Sequence, residues 1–256
     1  MFARLKHAIG SSRKAAAGAA RRDRRLTPAV SGLESRALLT SIPLVPNGAP
    51  LFVTELYNDL LQRDPDPGEL SYNVNYLRNG GSIETLTHKI VTSTERKAVV
   101  VTSFYETYLG REPDPDGLAF QVNLLNHGVK PVDVQRGIIA SPEFQNAHVS
   151  NVSYVDALYV DILGRAPDAA GEAYWVSALE NGMSRDRVAL SFFNTQEYAT
   201  RIINADFNLV LNRNAEPGAI HYWTPSLAQT GKDGELLVAL FASNENLNNI
   251  RTIATT

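Results

Sequence analysis

Residues 158–175 read LYVDILGRAPDAAGEAYW, and this stretch predicts the local fold of the chain. Its apolar residues recur at the spacing of one helix face as far as Leu163. Gly164 follows, and glycine tolerates the left-handed backbone conformation that ends helices. Beyond it, Pro167 fixes the backbone of a turn and Asp168 is a suitable cap for another helix. The stretch therefore predicts a helix, a tight turn and a second helix.

The same pattern occurs four times along the chain. An arginine marks the equivalent position in each copy, and a glutamate follows it 32 positions later. The pairs are Arg63 with Glu95, Arg111 with Glu143, Arg165 with Glu197, and Arg213 with Glu245. The arginines lie 48, 54 and 48 residues apart, a period that is typical of stacked repeats. Since a catalytic pair would be needed only once, the fourfold repetition predicts structural ion pairs between helix ends.

The repeat pattern predicts an all-α fold with about twelve main helices, three in each repeat, plus a short cap. The predicted segments are a basic arm at 1–48 and repeats at 49–99, 100–150, 151–199 and 200–256. The fourth repeat is degenerate, because Asp206 occupies an apolar position and Gly234 interrupts the third helix. We therefore expect it to be a terminal capping unit whose outer face meets water. The sequence leaves open whether the array is an open solenoid or a closed bundle.

Composition limits the chemistry that the protein can perform. The chain has no cysteine, which excludes disulfides, thiolate metal sites and cysteine nucleophiles. It lacks an apolar run of the roughly 20 residues that a membrane helix requires. It also lacks the common motifs of zinc hydrolases, serine hydrolases and phosphate-binding loops, so we expect no enzyme.

The N-terminal segment differs in charge from the remainder of the chain. Residues 1–40 carry nine Lys or Arg and two acids, giving +7, whereas the remaining residues carry −10. Such an arm is either a disordered, solvated tail or a segment attracted to polyanions. Nucleic acid is not favoured as a partner, because no aromatic residue lies among the arginines and no reading motif follows.

The end of this arm carries a more specific pattern. Residues 33–40 read LESRALLT. This segment resembles the Leu-Glu-x-Arg-x-Leu-Leu-Ser/Thr element that follows a basic N-terminus in many predicted exported proteins of planctomycetes. The resemblance implies an extracellular or cell-surface location. The alternative is an amphipathic turn that packs on the first repeat.

The repeats themselves resemble DUF4214 domains over residues 51–247. The third copy carries the family pattern best, at Leu158-Tyr159, Leu163-Gly164-Arg165, Pro167-Asp168, Gly171, Tyr174-Trp175, Gly182 and Glu197-Tyr198. The family is of unknown function and is typical of exported or surface proteins of bacteria. The resemblance implies a helical interaction module that binds protein, extracellular matrix or glycan, and it implies no reaction.

Two further features are candidate ligand sites. The turn Glu112-Pro113-Asp114-Pro115-Asp116-Gly117 resembles the first half of an EF-hand loop, so Glu112, Asp114 and Asp116 could hold calcium weakly. Asn123 stands where that loop requires a bidentate glutamate, and helix capping is the alternative role of the acids. The pairs Tyr174-Trp175 and Tyr222-Trp223 form a candidate face for a glycan or peptide, and the alternative is that they belong to the core.

Overall fold

The computed structural model describes residues 48–230 and 233–255 of the chain. Every regular element in this part is a helix, which confirms the predicted all-α class. The predicted arm, except its last residue, lies outside the described residues, so its proposed roles rest on the sequence alone. None of the described helices combines the length and the apolar character needed to cross a membrane.

Fourteen helices follow one another in the described part, and we number them in chain order. The first repeat contains α1 (Gly48–Leu61), α2 (Pro67–Arg78) and α3 (Ile83–Val91). The second contains α4 (Thr94–Leu109), α5 (Pro115–Asn126) and α6 (Pro131–Ile139), followed by the short α7 (Pro142–Ala147). The third contains α8 (Asn151–Leu158, continued by a π-helical segment Tyr159–Leu163), α9 (Ala169–Glu180) and α10 (Arg185–Phe193). The fourth contains α11 (Gln196–Leu211), α12 (Pro217–Thr230) and α13 (Gly234–Phe241), and α14 (Asn244–Thr255) ends the described part.

The predicted cap is a separate helix after the second repeat, where it forms α7, and after the fourth repeat, where it begins α14. Elsewhere it forms the first turns of the next repeat's long helix, so the predicted boundaries 99/100 and 199/200 fall inside α4 and α11. Ser93 and Thr195 each accept a hydrogen bond from the backbone amide three residues later and begin these helices. Arg111 and Arg165 are 54 residues apart, six more than the other neighbouring arginines. With these extra residues α7 ends at Ala147, and Ser150 caps a new helix.

Each repeat's first helix ends two residues before the repeated arginine, and the residue between them has a positive φ. Gly110 and Gly164 adopt the left-handed conformation there, with φ of 67° and 77°. Gln62 and Asn212 adopt the same conformation at φ of 58° and 53°, although they carry a Cβ. The chain therefore reverses at the same place in all four copies, which orients the arginine that follows.

The four repeats close into a ring. The third helices of the second and third repeats, α6 and α10, pack on each other. The third helices of the first and fourth repeats, α3 and α13, do the same, and α14 packs on α1. The sequence had left an open solenoid and a closed bundle as alternatives, and the structure shows the closed form.

Closure gives the molecule two main apolar cores. One is shared by the second and third repeats and is centred on Phe144 and Tyr154. The other joins the first repeat to the end of the fourth, where Phe52 and Phe241 meet edge to face at 6.4 Å between ring centroids.

The prediction that the fourth repeat caps the array at solvent was wrong. Its helix α13 lies against α3. Leu237 is buried in the core that includes the first repeat, and Leu236 and Leu240 are buried in the fourth repeat's own core. Gly234 begins α13 instead of interrupting it, and a Cβ at this position would lie 2.9 Å from Val91 Cγ1. The glycine is thus explained by the close approach of two helices. Asp206 does not face water either, since its side chain is fully buried.

Candidate functional site

The four predicted arginine–glutamate pairs are all brought together. In each pair Nε donates to one carboxylate oxygen at 2.5–2.6 Å, and Nη2 donates to the other at 2.6–3.1 Å. The guanidinium therefore meets the carboxylate with two parallel hydrogen bonds, the geometry that favours arginine over lysine. The glutamate lies in the first turn of a helix, so each pair ties the end of a repeat's first helix to the start of the helix that follows its third helix.

Each arginine makes two further contacts that are also repeated. Its Nη1 donates to the carbonyl oxygen of the next residue at 2.9–3.2 Å, which holds the turn. Its Cζ lies 4.9–5.4 Å from an aromatic ring on the preceding helix. The rings are those of Tyr57, Tyr105, Tyr159 and Phe207. One guanidinium thus joins a helix, the turn after it and the start of a later helix.

These pairs lie at the surface, with the arginine side chains 37–43% exposed. Solvent screens such pairs, so their contribution to stability is modest compared with that of a buried pair. In the first repeat Glu69 also hydrogen-bonds Arg63, and this contact lowers the pKa of Glu69 to about 2. The arginine–glutamate pairs therefore act as surface clamps between helices.

The acidic turns cap helices. Asp66, Asp114 and Asp168 each accept a hydrogen bond from the backbone amide three residues later. At Asp114 the donor is Gly117, and this bond lowers the pKa of the carboxyl. Gly117 is required here because a Cβ would lie 2.9 Å from the Tyr105 hydroxyl oxygen. The aspartates are thus part of the local fold.

The calcium prediction concerns the turn of the second repeat. Across residues 48–230 and 233–255, no three His, Cys, Asp or Glu side chains gather closely enough to hold a metal ion. Glu112, Asp114 and Asp116 do not form such a group, and the Arg111 guanidinium acts electrostatically on Asp114. Weak calcium binding at this turn stays a prediction, and the nearby cation opposes it.

The second helices expose one large aromatic ring each. Tyr72, Phe120, Tyr174 and Tyr222 occupy the same position, nine residues after the repeated arginine, and they are 55–65% exposed. The Lys89 ammonium lies 5.5 Å from the centroid of the Tyr72 ring. The interpretation of Tyr174 and Tyr222 as core residues is therefore wrong.

The two predicted tryptophans lie beneath the tyrosines. Tyr174 meets Trp175 edge to face at 4.9 Å between centroids, and Tyr222 meets Trp223 in the same way at 5.1 Å. Both indoles are partly buried, and Trp175 packs on Phe192 at 5.3 Å. In these two repeats the exposed tyrosine thus rests against a tryptophan that is anchored in the core.

Comparison with protein families gives a family whose matches cover more than half of the chain. The pattern of a domain of unknown function, DUF4214, matches residues 49–100, 98–148 and 135–202. The chain belongs to the DUF4214 family. Comparison with curated proteins and with solved structures gives no match.

The three DUF4214 matches agree with tandem repeats and end before most of the fourth copy. The fourth repeat nevertheless has the same order of helices and the same pair between Arg213 and Glu245. Gly234, which departs from the other copies, lies where α13 meets α3 of the first repeat.

Two arginines of this DUF4214 chain were missed by the sequence reasoning. Arg96 and Arg201 project from the first half of α4 and α11, and each donates to a backbone carbonyl in the last turn of the preceding long helix. The acceptors, Leu60 and Ile162, are equivalent residues in their repeats. The donors differ in register by three residues, so the repeat pattern could not reveal their common role.

Proposed function

We propose that this protein is a non-enzymatic interaction module of the cell surface or the extracellular space. One observation carries the proposal, namely the exposed aromatic ring that each repeat presents at the same position. A single exposed aromatic residue on a protein surface is ordinary. Four of them at equivalent positions, on four different helices, form a repeated contact surface.

We further propose that the partner is a glycan polymer. Protein interfaces concentrate their binding energy in a few anchors at the centre of one patch. The rings here are instead distributed, one on each of α2, α5, α9 and α12, which suits a ligand whose units repeat. Each contact would be weak, and several contacts to one polymer would raise the overall affinity through effective concentration.

The rigidity of the repeats supports this role. The repeated arginine clamps fix each turn and the start of the second helix that carries the exposed ring. An aromatic residue has few rotatable bonds, so little conformational entropy is lost when it contacts a ligand. The tryptophans beneath Tyr174 and Tyr222 reduce the remaining freedom of those rings.

Sedimentation with insoluble polysaccharides tests the proposal. We would use cellulose, chitin and purified peptidoglycan with the full chain. We expect binding to at least one polymer, a several-fold loss when any one ring is replaced by serine, and abolition in the fourfold variant. The four changes are Tyr72→Ser, Phe120→Ser, Tyr174→Ser and Tyr222→Ser.

The matched control removes exposed apolar residues outside this surface. Val149 and Val160 are 76% and 53% exposed, and the double variant Val149→Ser, Val160→Ser should bind as the wild type does. The proposal fails if no polymer sediments the protein, or if the fourfold aromatic variant still binds while its melting temperature is unchanged.

The proposed location rests on residues 33–40, and cell fractionation tests it. We expect the full chain outside the cytoplasm and a variant that begins at residue 41 inside it. If both stay in the cytoplasm, the proposed location is refuted, and the basic arm becomes a candidate for binding an intracellular polyanion.

A further inference from the structure

The exposed ring of the first repeat differs from the other three in having a cation beside it. The Lys89 ammonium lies over the Tyr72 ring, 5.5 Å from its centroid. Lys89 stands 26 positions after the repeated arginine of its copy, on the third helix α3. The residues at the same position of the other copies are uncharged, and they are Gly137, Ser191 and Ala239. The four rings therefore share a position but do not share a chemical setting.

The Tyr72 ring and the Lys89 ammonium are accessible together. Tyr72 is 65% exposed with the lysine in place, and Lys89 is itself exposed. Within residues 48–230 and 233–255, the contact with the ring is the one interaction of the Lys89 side chain. An ammonium group has three hydrogen-bond donors, and a ring accepts none of them in the way that an oxygen does. The lysine can therefore bind an anion that lies against the ring.

The acid nearest to this ring along α2 is already paired. Glu69 lies three residues before Tyr72, a spacing that places two side chains on the same helix face. Its two carboxylate oxygens accept hydrogen bonds from Arg63 at 2.7 and 2.8 Å, and the Asp66 amide donates to it at 2.9 Å. Glu69 is thus part of the arginine clamp, and Lys89 is left as the unpaired charge at the Tyr72 ring.

We infer that the first repeat binds a sugar that carries a carboxylate, with the Tyr72 ring against the face of the sugar and the Lys89 ammonium on the carboxylate. This inference rests on the proposed function, and it narrows the ligand to a glycan that contains uronic-acid units. The other three rings have no charge at the equivalent position, so they suit neutral sugars of the same polymer.

Sedimentation with matched pairs of insoluble polymers tests the inference. The pairs are cellulose and chitin, each untreated and with part of its C6 hydroxymethyl groups oxidised to carboxylates. We expect the full chain to bind an oxidised form more tightly than the untreated form. The attraction of an ammonium and a carboxylate about 4 Å apart in water corresponds to roughly fivefold in a dissociation constant. Lys89→Met should therefore weaken binding to the oxidised polymer about fivefold and leave binding to the untreated polymer within about twofold.

The matched control is Lys97→Met, which removes the same charge from a lysine whose ammonium is held by Asn126 at 2.7 Å. It should bind both forms of the polymer as the wild type does. The basic arm is present in every variant, so its attraction to carboxylates is the same in all of them. In about 1 M salt, where the Debye length falls to about 3 Å, the difference between Lys89→Met and the wild type should disappear.

A lysine moved to another repeat gives a test by gain of binding. Ser191→Lys places an ammonium at the equivalent position of the third repeat, and adding it to Lys89→Met should restore the preference for the oxidised polymer. Lys89→Arg should keep the preference, because it keeps the charge.

Two results would overturn the inference while leaving the aromatic surface in place. One is that neither oxidised polymer binds, although peptidoglycan or an untreated polymer does. The other is that Lys89→Met weakens binding to the oxidised polymer no more than Lys97→Met does. If the fourfold ring variant binds every polymer as the wild type does, with an unchanged melting temperature, the proposed function fails and this inference fails with it.

Discussion

Replacing Asp206 by leucine should stabilise the protein. Asp206 lies in α11, at the position where the other repeats have Leu56, Phe104 and Leu158. Its side chain is fully buried, and neither oxygen has a hydrogen-bond donor. Relief of a buried unsatisfied polar group contributes about 1–3 kcal/mol, and a buried leucine side chain about 1.5–3 kcal/mol. Subtracting about 1–3 kcal/mol for tighter packing leaves a net gain of about 2 kcal/mol at pH 4, where the titration of the carboxyl does not yet contribute.

The gain should depend on pH with a defined sign. Burial raises the folded-state pKa of Asp206 above its unfolded value, so the folded state binds more protons between the two values. Stability of the wild type therefore falls as pH rises above about 4, by up to about 1.4 kcal/mol per pH unit. Asp206→Leu lacks this titration, and the gap between the two proteins should widen from pH 4 to pH 7.

Urea denaturation followed by circular dichroism measures both effects. Asp206→Asn is the matched control, because it removes the titration and keeps a buried polar group. It should show the flatter pH dependence without the full gain at pH 4. A loss of stability in Asp206→Leu, or a gap that does not change with pH, would show that Asp206 is ionised and paired, and the reasoning would be refuted.

Three further substitutions test the repeat architecture by urea denaturation. Arg213→Ala should lower the free energy of unfolding by about 1–2 kcal/mol, because it removes a partly exposed ion pair and an aromatic contact. A change below about 0.3 kcal/mol would contradict the proposed clamp. Gln62→Gly should stabilise by about 1 kcal/mol, because glycine adopts the left-handed conformation without strain, and a loss would contradict that conformation. Gly234→Ala should destabilise by about 1 kcal/mol, since the new Cβ meets Val91. Its control is Gly137→Ala, where no atom lies within 4 Å of the new Cβ, so this change should stabilise by up to about 1 kcal/mol.

Features set by local spacing were accessible from the sequence. The contact between Arg165 and Glu197 depends on one arginine, one glutamate and a fixed separation of 32 residues. The same separation in every copy made the pairing predictable. The end of each first helix was also predictable, because Gly or Asn stands there in three copies and the repeat register extends the inference to Gln62.

Ring closure was not accessible in the same way. It depends on the angle between successive repeats. Small differences in helix packing change this angle, and the changes add up over four units. Gly234 is the residue that reflects the close approach of α13 to α3. The sequence alone does not show what Gly234 contacts, so the glycine indicated an interrupted helix. The sequence left the place of the tyrosines open between a ligand face and the core for a related reason, since α9 has no fully buried residue and the period of a helix does not show which face meets the core.

The contacts of Arg96 lay beyond the sequence altogether. Arg96 had no motif, and its counterpart Arg201 stands three residues further along the aligned repeat. Only the fold shows that Arg96 is buried and that its Nη1 donates to the Leu60 carbonyl.

The contact between α3 and α13 also has a consequence for synthesis of the chain. More than 140 residues separate the partners, so the first repeat cannot complete its core until Phe241 has left the ribosome. The second and third repeats share a core made of neighbouring segments, and loop closure there is easier. We therefore expect the second and third repeats to fold first, and the first repeat to complete its core only after the fourth repeat has been made.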